Sequence, residues 1–101
     1  ETPLGIIGIV ESNAFEAKTA LAMVEIGCVA GICFNTNSGK VAMVKDSENS
    51  NAVGINVGKL MKELGREMKG SGGGHESIGG AVGKPELVEK SVEKMVQKAR
   101  T

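Results

Sequence analysis

The chain has 101 residues, with twelve basic and twelve acidic side chains, one histidine and a formal net charge of zero. That length holds one hydrophobic core and excludes two, and the balanced charge excludes a global field, so any pull on nucleic acid must come from a local patch. The only aromatics are Phe15 and Phe34, which argues against base stacking and leaves phosphate and sugar as the parts of a nucleic acid to be held.

Glu1 opens directly on an apolar run with no basic leader, which reads as a piece of a longer, unexported polypeptide. Residues 4–10 form a near-continuous aliphatic stretch, which predicts a strand buried on both faces. Such runs reach only about seven residues, far from the ~20 that cross a bilayer. Ser12 and Asn13 are N-cap types, and Glu16 follows Asn13 by three as in a capping box. Ala17, Ala20, Leu21 and Val24 then recur at helical spacing until Gly27, a residue suited to the C′ position. Residues 28–35 and 40–45 are apolar runs joined by a short polar turn, an antiparallel hairpin. Cys28 and Cys33, five apart on one strand, would point to opposite faces and not bridge. Two Cys and one His cannot supply the usual soft ligands of a four-coordinate zinc site, and a reduced, cytoplasmic setting fits them.

Residues 46–51 are polar and aperiodic, a loop. From Asn56, an N-cap type, Val57, Leu60, Met61, Leu64 and Met68 form the apolar stripe of a second helix. Lys59, Lys62, Arg66 and Lys69 gather on its other side as a basic ridge leading to a glycine run, although Glu63 and Glu67 would make it equally an ordinary solvated face. Gly70 to Gly74 reads as a loop, residues 77–82 as a glycine-laden strand, and Pro85 suits the first turn of a last helix with Val88, Val92, Met95, Val96 and Ala99 buried. The expectation is a single α/β domain over residues 1–101. It consists of a mixed sheet of about four to five strands flanked by three helices, in the order β-α-β-β-α-β-α.

The chemistry concentrates in Gly72, Gly73, Gly74 and His75. Clustered glycines cost backbone entropy, so they call for strained dihedrals or for a ligand close to their amides. Consecutive unblocked N–H groups can converge on an anion, and His75 can donate to it from the side. The spacing is neither a Walker loop nor a dinucleotide fingerprint. A plain flexible connector is the alternative reading of the composition. No carboxylate or hydroxyl stands at a spacing that would make His75 part of a catalytic pair, so no catalytic residue and no metal ligand is assigned.

The Gly-Gly-Gly-His run, then two residues, then small residues ending in Gly80, resembles the signature of the DHH-associated domain of DHH phosphoesterases. Where that family usually has two alanines before the last glycine, this chain has Ile78 and Gly79. Residues 53–65 are similar to the family's segment feeding the glycine run. Lys45 and Asp46 stand where the family often carries a ligand-contacting Arg-Ser pair, and lysine keeps the charge without the bidentate fork. The resemblance implies phosphate or substrate contacts at Gly72, Gly73, Gly74, His75, Ser77, Gly79, Gly80 and Lys45, and the basic ridge of Lys59, Lys62, Arg66 and Lys69 suits a nucleic-acid backbone laid along it. It also implies an N-terminal DHH domain in the same polypeptide, holding the manganese ions that activate water. Single-stranded nucleic acid or a small nucleotide is the expected partner, a RecJ-like exonuclease or an oligonucleotide phosphodiesterase the expected parent, and the chain alone is expected to be inactive. An oligomer is compatible with this reading. Two other readings stand beside it. One is the related RNA-binding C-terminal domain of alanyl-tRNA synthetases, whose glycine run usually continues with Arg rather than His. The other is a structural oligomerisation domain.

Overall fold

A computed structural model describes residues 7–11, 16–25, 28–48 and 54–100. The expected caps at Ser12, Asn13 and Gly27, and residues 4–6 and 49–51, lie outside them.

Strand β1 (Ile7–Glu11) is followed by helix α1 (Glu16–Glu25) and by β2 (Ala30–Asn35), which pairs parallel with β1. A parallel pair needs a long crossover, and α1 is that crossover. β2 turns into β3 (Lys40–Lys45) as the expected antiparallel hairpin, with Asn35 opposite Lys40. The turn is held by Asn35, whose side-chain Oδ1 accepts from the N–H groups of Asn37 and Ser38. Gly39 takes φ +76°, a left-handed value that glycine adopts without strain.

Helix α2 (Val57–Glu67) begins at Asn56 as the sequence predicts, the cap side chain accepting from the Lys59 N–H at 3.1 Å. Asn56→Ala should therefore lower stability by about 1 kcal/mol, read as a lower melting temperature by circular dichroism. Strand β4 (Ser71–Gly74), strand β5 (Ile78–Val82) and helix α3 (Pro85–Arg100) complete the chain. The five strands lie in the order β1-β2-β3-β5-β4.

The mixed sheet with three helices agrees with the sequence, and the difference is one extra strand. The glycine run expected as a loop is β4, paired antiparallel with β5 from Ser71–Val82 to Gly74–Gly79. Glycine is a poor strand former by propensity, which is why the composition read as loop. Tertiary pairing overrides that preference here.

The core lies between the sheet and the α2/α3 layer. Ala30, Ile32, Phe34, Val41, Met43 and Ala81 of the strands meet Val57, Met61, Leu64, Met68, Val88, Val92 and Val96 of the helices. On the other face Ala20 of α1 packs with Cys33 and Val44. The first strand is not buried on both faces as expected. It is a sheet edge, and Ile9 is 38% exposed. Both cysteines are free thiols, but Cys28 precedes the start of β2, so strand alternation does not govern it.

Candidate substrate-binding site

The glycines around residue 72 have two distinct explanations, and the helix beside them separates the two. α2 runs antiparallel to β4, with its backbone directly on the strand's backbone. A Cβ on Gly65 would stand 2.3 Å from the Ser71 carbonyl carbon, and one on Gly58 would stand 2.5 Å from Gly74 O. From the strand side, a Cβ on Gly72 would lie 2.1 Å from Met61 O. Real side chains do not reach such distances, so these glycines exist to let helix and strand touch. Gly58 and Gly65 are seven apart and share one face of α2, each costing about 1 kcal/mol of helix propensity that close packing offsets. Gly79 belongs with them, since its Cβ would stand 2.6 Å from Gly73 O and 3.3 Å from the Met61 and Val57 side chains.

Gly73 is different. A Cβ there would meet nothing within 4 Å. Side chains alternate along a strand, so Gly73 faces away from α2, as do its neighbours across the sheet, Gly80 and then Ala42. Gly80 is only mildly restricted, with Val41 O at 3.1 Å from its ideal Cβ. Ile78 and Val82, on the same open face, are 46% and 42% exposed.

The glycine run expected as an anion nest is laid out as a strand paired with β5, and only Gly74, at φ +144°, departs from the usual strand dihedrals. His75 N–H donates to Ile78 O at 2.8 Å. His75 itself stands exposed at the tip of the hairpin.

The hairpin tip is held at every residue. His75 O accepts from Gly58 N–H at 2.7 Å, Glu76 O from Val57 N–H at 2.9 Å, and Ser77 O from Lys45 N–H at 2.9 Å. The Ser77 and Ser47 hydroxyls lie 2.7 Å apart. With Asn56 serving the next two amides, the N-terminus of α2 is closed by the protein itself. Its dipole therefore acts on the His75–Glu76 carbonyls and not on a ligand.

Lys45 lies beneath this tip. Its side chain is 3% exposed, and its ammonium donates to Ile55 O at 2.6 Å and pairs with Glu76 Oε1 at 3.2 Å, while the Glu76 side chain is 71% exposed. Glu76 and Ile55 carried no signal in the sequence, because the partners are 31 and 10 residues from Lys45. The paired helix glycines were a legible signal, since a glycine kept inside a helix usually marks a close approach.

Lys59, Lys62, Arg66 and Lys69 are all exposed. At 100° per residue Lys62 and Arg66 follow the glycine seam around α2 by roughly 40–100°, on the side that overhangs the free edge of β4. Lys59 lines a different surface, the groove of about 380 Å³ between α2 and α3 that also takes Glu63 and Glu67. Lys69 lies past the helix end, in the left-handed region at φ 60°. Among the described residues no three His, Cys, Asp or Glu side chains come together as a metal site, and no helix is long and apolar enough to cross a membrane.

No curated protein sequence matches the chain. Among solved structures it is similar to the C-Ala domain of alanyl-tRNA synthetase from Aquifex aeolicus. That likeness has a TM-score of 0.63 and 17% identity, over 95% of this chain and 90% of that one. It is also similar to PggH, a pGpG-specific phosphodiesterase from Vibrio cholerae, with a TM-score of 0.57 and 19% identity over 75% of this chain. This chain spans only 25% of the length of PggH. At such identities the likenesses establish a shared fold. The DHHA1 domain model matches residues 12–101, from before α1 to the chain's end and including the whole glycine hairpin, and the chain belongs to that family.

Proposed function

We propose that this chain is the substrate-holding domain of a manganese-dependent DHH phosphoesterase, gripping phosphate or the nucleic-acid backbone along Gly72, Gly73, Gly74 and His75. The observation that carries the reading is Gly73, the glycine of β4 that packing does not require, two residues before an exposed His75. A residue without Cβ there leaves room for a ligand against the backbone. Gly80 extends the open surface, Ser77 and Lys45 support the hairpin tip, and Gly79 serves the helix contact. Lys62 and Arg66, with Lys69 beyond them, supply positive charge beside the same edge.

The substrate class that fits is a short oligonucleotide or a dinucleotide of the kind named for PggH. A RecJ-like exonuclease is the parent favoured by the basic side of α2. Bond cleavage belongs to a DHH domain of the parent polypeptide, which would hold the manganese and activate water. Among the described residues no cluster of metal ligands forms that centre, so no chemical step is assigned to them. An RNA-binding role like that of the alanyl-tRNA synthetase domain is the second reading, prompted by the likeness to C-Ala. A histidine after the three glycines favours the phosphoesterase.

His75→Ala should weaken binding of pGpG or of a 5′-phosphorylated tetranucleotide about tenfold, the scale of one lost charge-assisted hydrogen bond, with the melting temperature unchanged. Isothermal titration of both proteins measures it. Equal affinity in the two would refute the assignment, and tight binding confined to a tRNA acceptor hairpin would favour the second reading.

A further inference from the structure

Among the described residues Lys45 is the basic side chain buried near the hairpin tip, and three of its contacts join into a circuit. Its backbone N–H holds Ser77 O, and its ammonium holds both the Glu76 carboxylate and Ile55 O. Ile55 immediately precedes Asn56, the cap of α2. The first two amides of α2, those of Val57 and Gly58, return to Glu76 O and His75 O. The chain therefore passes from β3 through Lys45 to the tip, from the tip to the start of α2, and from there back to Lys45. Every main-chain carbonyl from residue 75 to 77 is fixed within this loop of bonds. A buried lysine is costly unless its ammonium is satisfied, and here the satisfying groups lie at Glu76, next to His75, and at Ile55, just before α2.

We propose that Lys45 is a positioning residue for His75, acting through Glu76 and Ile55 and making no contact with the ligand. The inference rests on the reading of His75 as a ligand group. It gives the cation at residue 45 a role different from direct phosphate binding. With 3% of its side chain exposed and its ammonium turned inward, Lys45 lacks the access that a phosphate contact needs. What it supplies is a fixed direction for the histidine: a loop tip held at three carbonyls loses little entropy when the ligand arrives.

The discriminating measurement is salt dependence. A lysine that neutralises a phosphate contributes to the slope of log affinity against log salt, and its loss lowers that slope by about 0.7 on a single strand. A positioning residue changes affinity and leaves the slope alone. Titrations of a 5′-phosphorylated tetranucleotide between 50 and 300 mM salt would use the full chain, with His75→Ala as the control for the site itself.

Lys45→Met, close in length and apolar, should weaken binding about tenfold with the wild-type slope, and should speed amide exchange at Val57 and Gly58. Glu76→Gln, at an exposed position that does not endanger the fold, should weaken binding about threefold, again with the slope kept. In a Glu76→Gln background, Lys45→Met should cost less than it does alone, because the two residues act through one contact. If His75→Ala matches wild type, the binding site itself has failed. If His75→Ala loses affinity while Glu76→Gln and Lys45→Met do not, or if the slope falls with Lys45→Met, the positioning role is wrong and the site stands. Should Lys45→Met fail to fold, Glu76→Gln with unchanged affinity is sufficient to overturn the inference.

Discussion

Gly65→Ala and Gly72→Ala should each unfold the chain at room temperature, while Gly73→Ala keeps a cooperative melting transition close to that of the wild type. The three changes add the same methyl group within one short region, so the contrast isolates geometry from composition. At Gly65 the new carbon would lie 2.3 Å from the Ser71 carbonyl carbon and 2.6 Å from Gly72 N. At Gly72 it would lie 2.1 Å from Met61 O. In both cases the obstacle is main chain, which cannot swing aside as a side-chain tip can. Either helix α2 must lift from β4 or the hairpin must move, and each exposes the layer built on Val57, Met61, Leu64 and Met68. Overpacking a core costs about 1–3 kcal/mol when side chains can adjust, and more when backbone must move. A domain of this size has only ~5–15 kcal/mol to lose. At Gly73 nothing lies within 4 Å, and alanine should be neutral or slightly stabilising because it restricts the unfolded chain. Thermal denaturation followed by far-ultraviolet circular dichroism reads all three. A Gly72→Ala protein that melts like wild type would show that helix and strand do not touch as described.

Reversing charge on the basic side of α2, with Lys62→Glu and Arg66→Glu together, should weaken single-stranded oligonucleotide binding about a hundredfold at low salt. The basis is the position of these two residues, just beyond the glycine seam on the side of the free β4 edge. A phosphate chain lying along that edge would pass them on its way to His75. Two lost phosphate contacts lower the salt slope by about 1.4, and the new like charges add repulsion. Both residues are exposed, so stability should change by less than about 0.5 kcal/mol. The matched control is Lys94→Glu on α3, whose native partner is Glu67 at 3.6 Å on the opposite side of α2. It should leave the slope in place. Inorganic phosphate, too short to reach both the tip and the ridge, should bind the wild type and the double variant alike. An unchanged slope in the double variant would mean that the ridge is an ordinary solvated face.

The two halves of the molecule differ in how openly their sequence states their structure. The β2–β3 hairpin was legible because two apolar runs flank a polar turn ending in a glycine, and that glycine adopts a left-handed dihedral. α2 was legible from its cap and stripe, since Asn56 and the spacing of Val57, Met61, Leu64 and Met68 are local features. The specific part of the family resemblance was the run Gly72 to His75, and the DHHA1 model matches residues 12–101. The strand at Ser71–Gly74 was hidden for the opposite reason: its own residues favour no strand, and the partner that orders it lies across a hairpin.

Local pattern determined the helices, the hairpin and the capping of α2. Those depend on the periodicity of side chains a few residues apart, which any reader of the sequence can count. Tertiary structure alone decided what each glycine is for, because Gly72 and Gly73 are chemically identical and differ only in the face they present, one to α2 and one to open space. It alone also turned Lys45 inward to the carboxylate 31 residues away and closed the first turn of α2 with the carbonyls of the hairpin tip. Such contacts arise when the sheet brings distant segments together, and no spacing in the sequence encodes the distance between them.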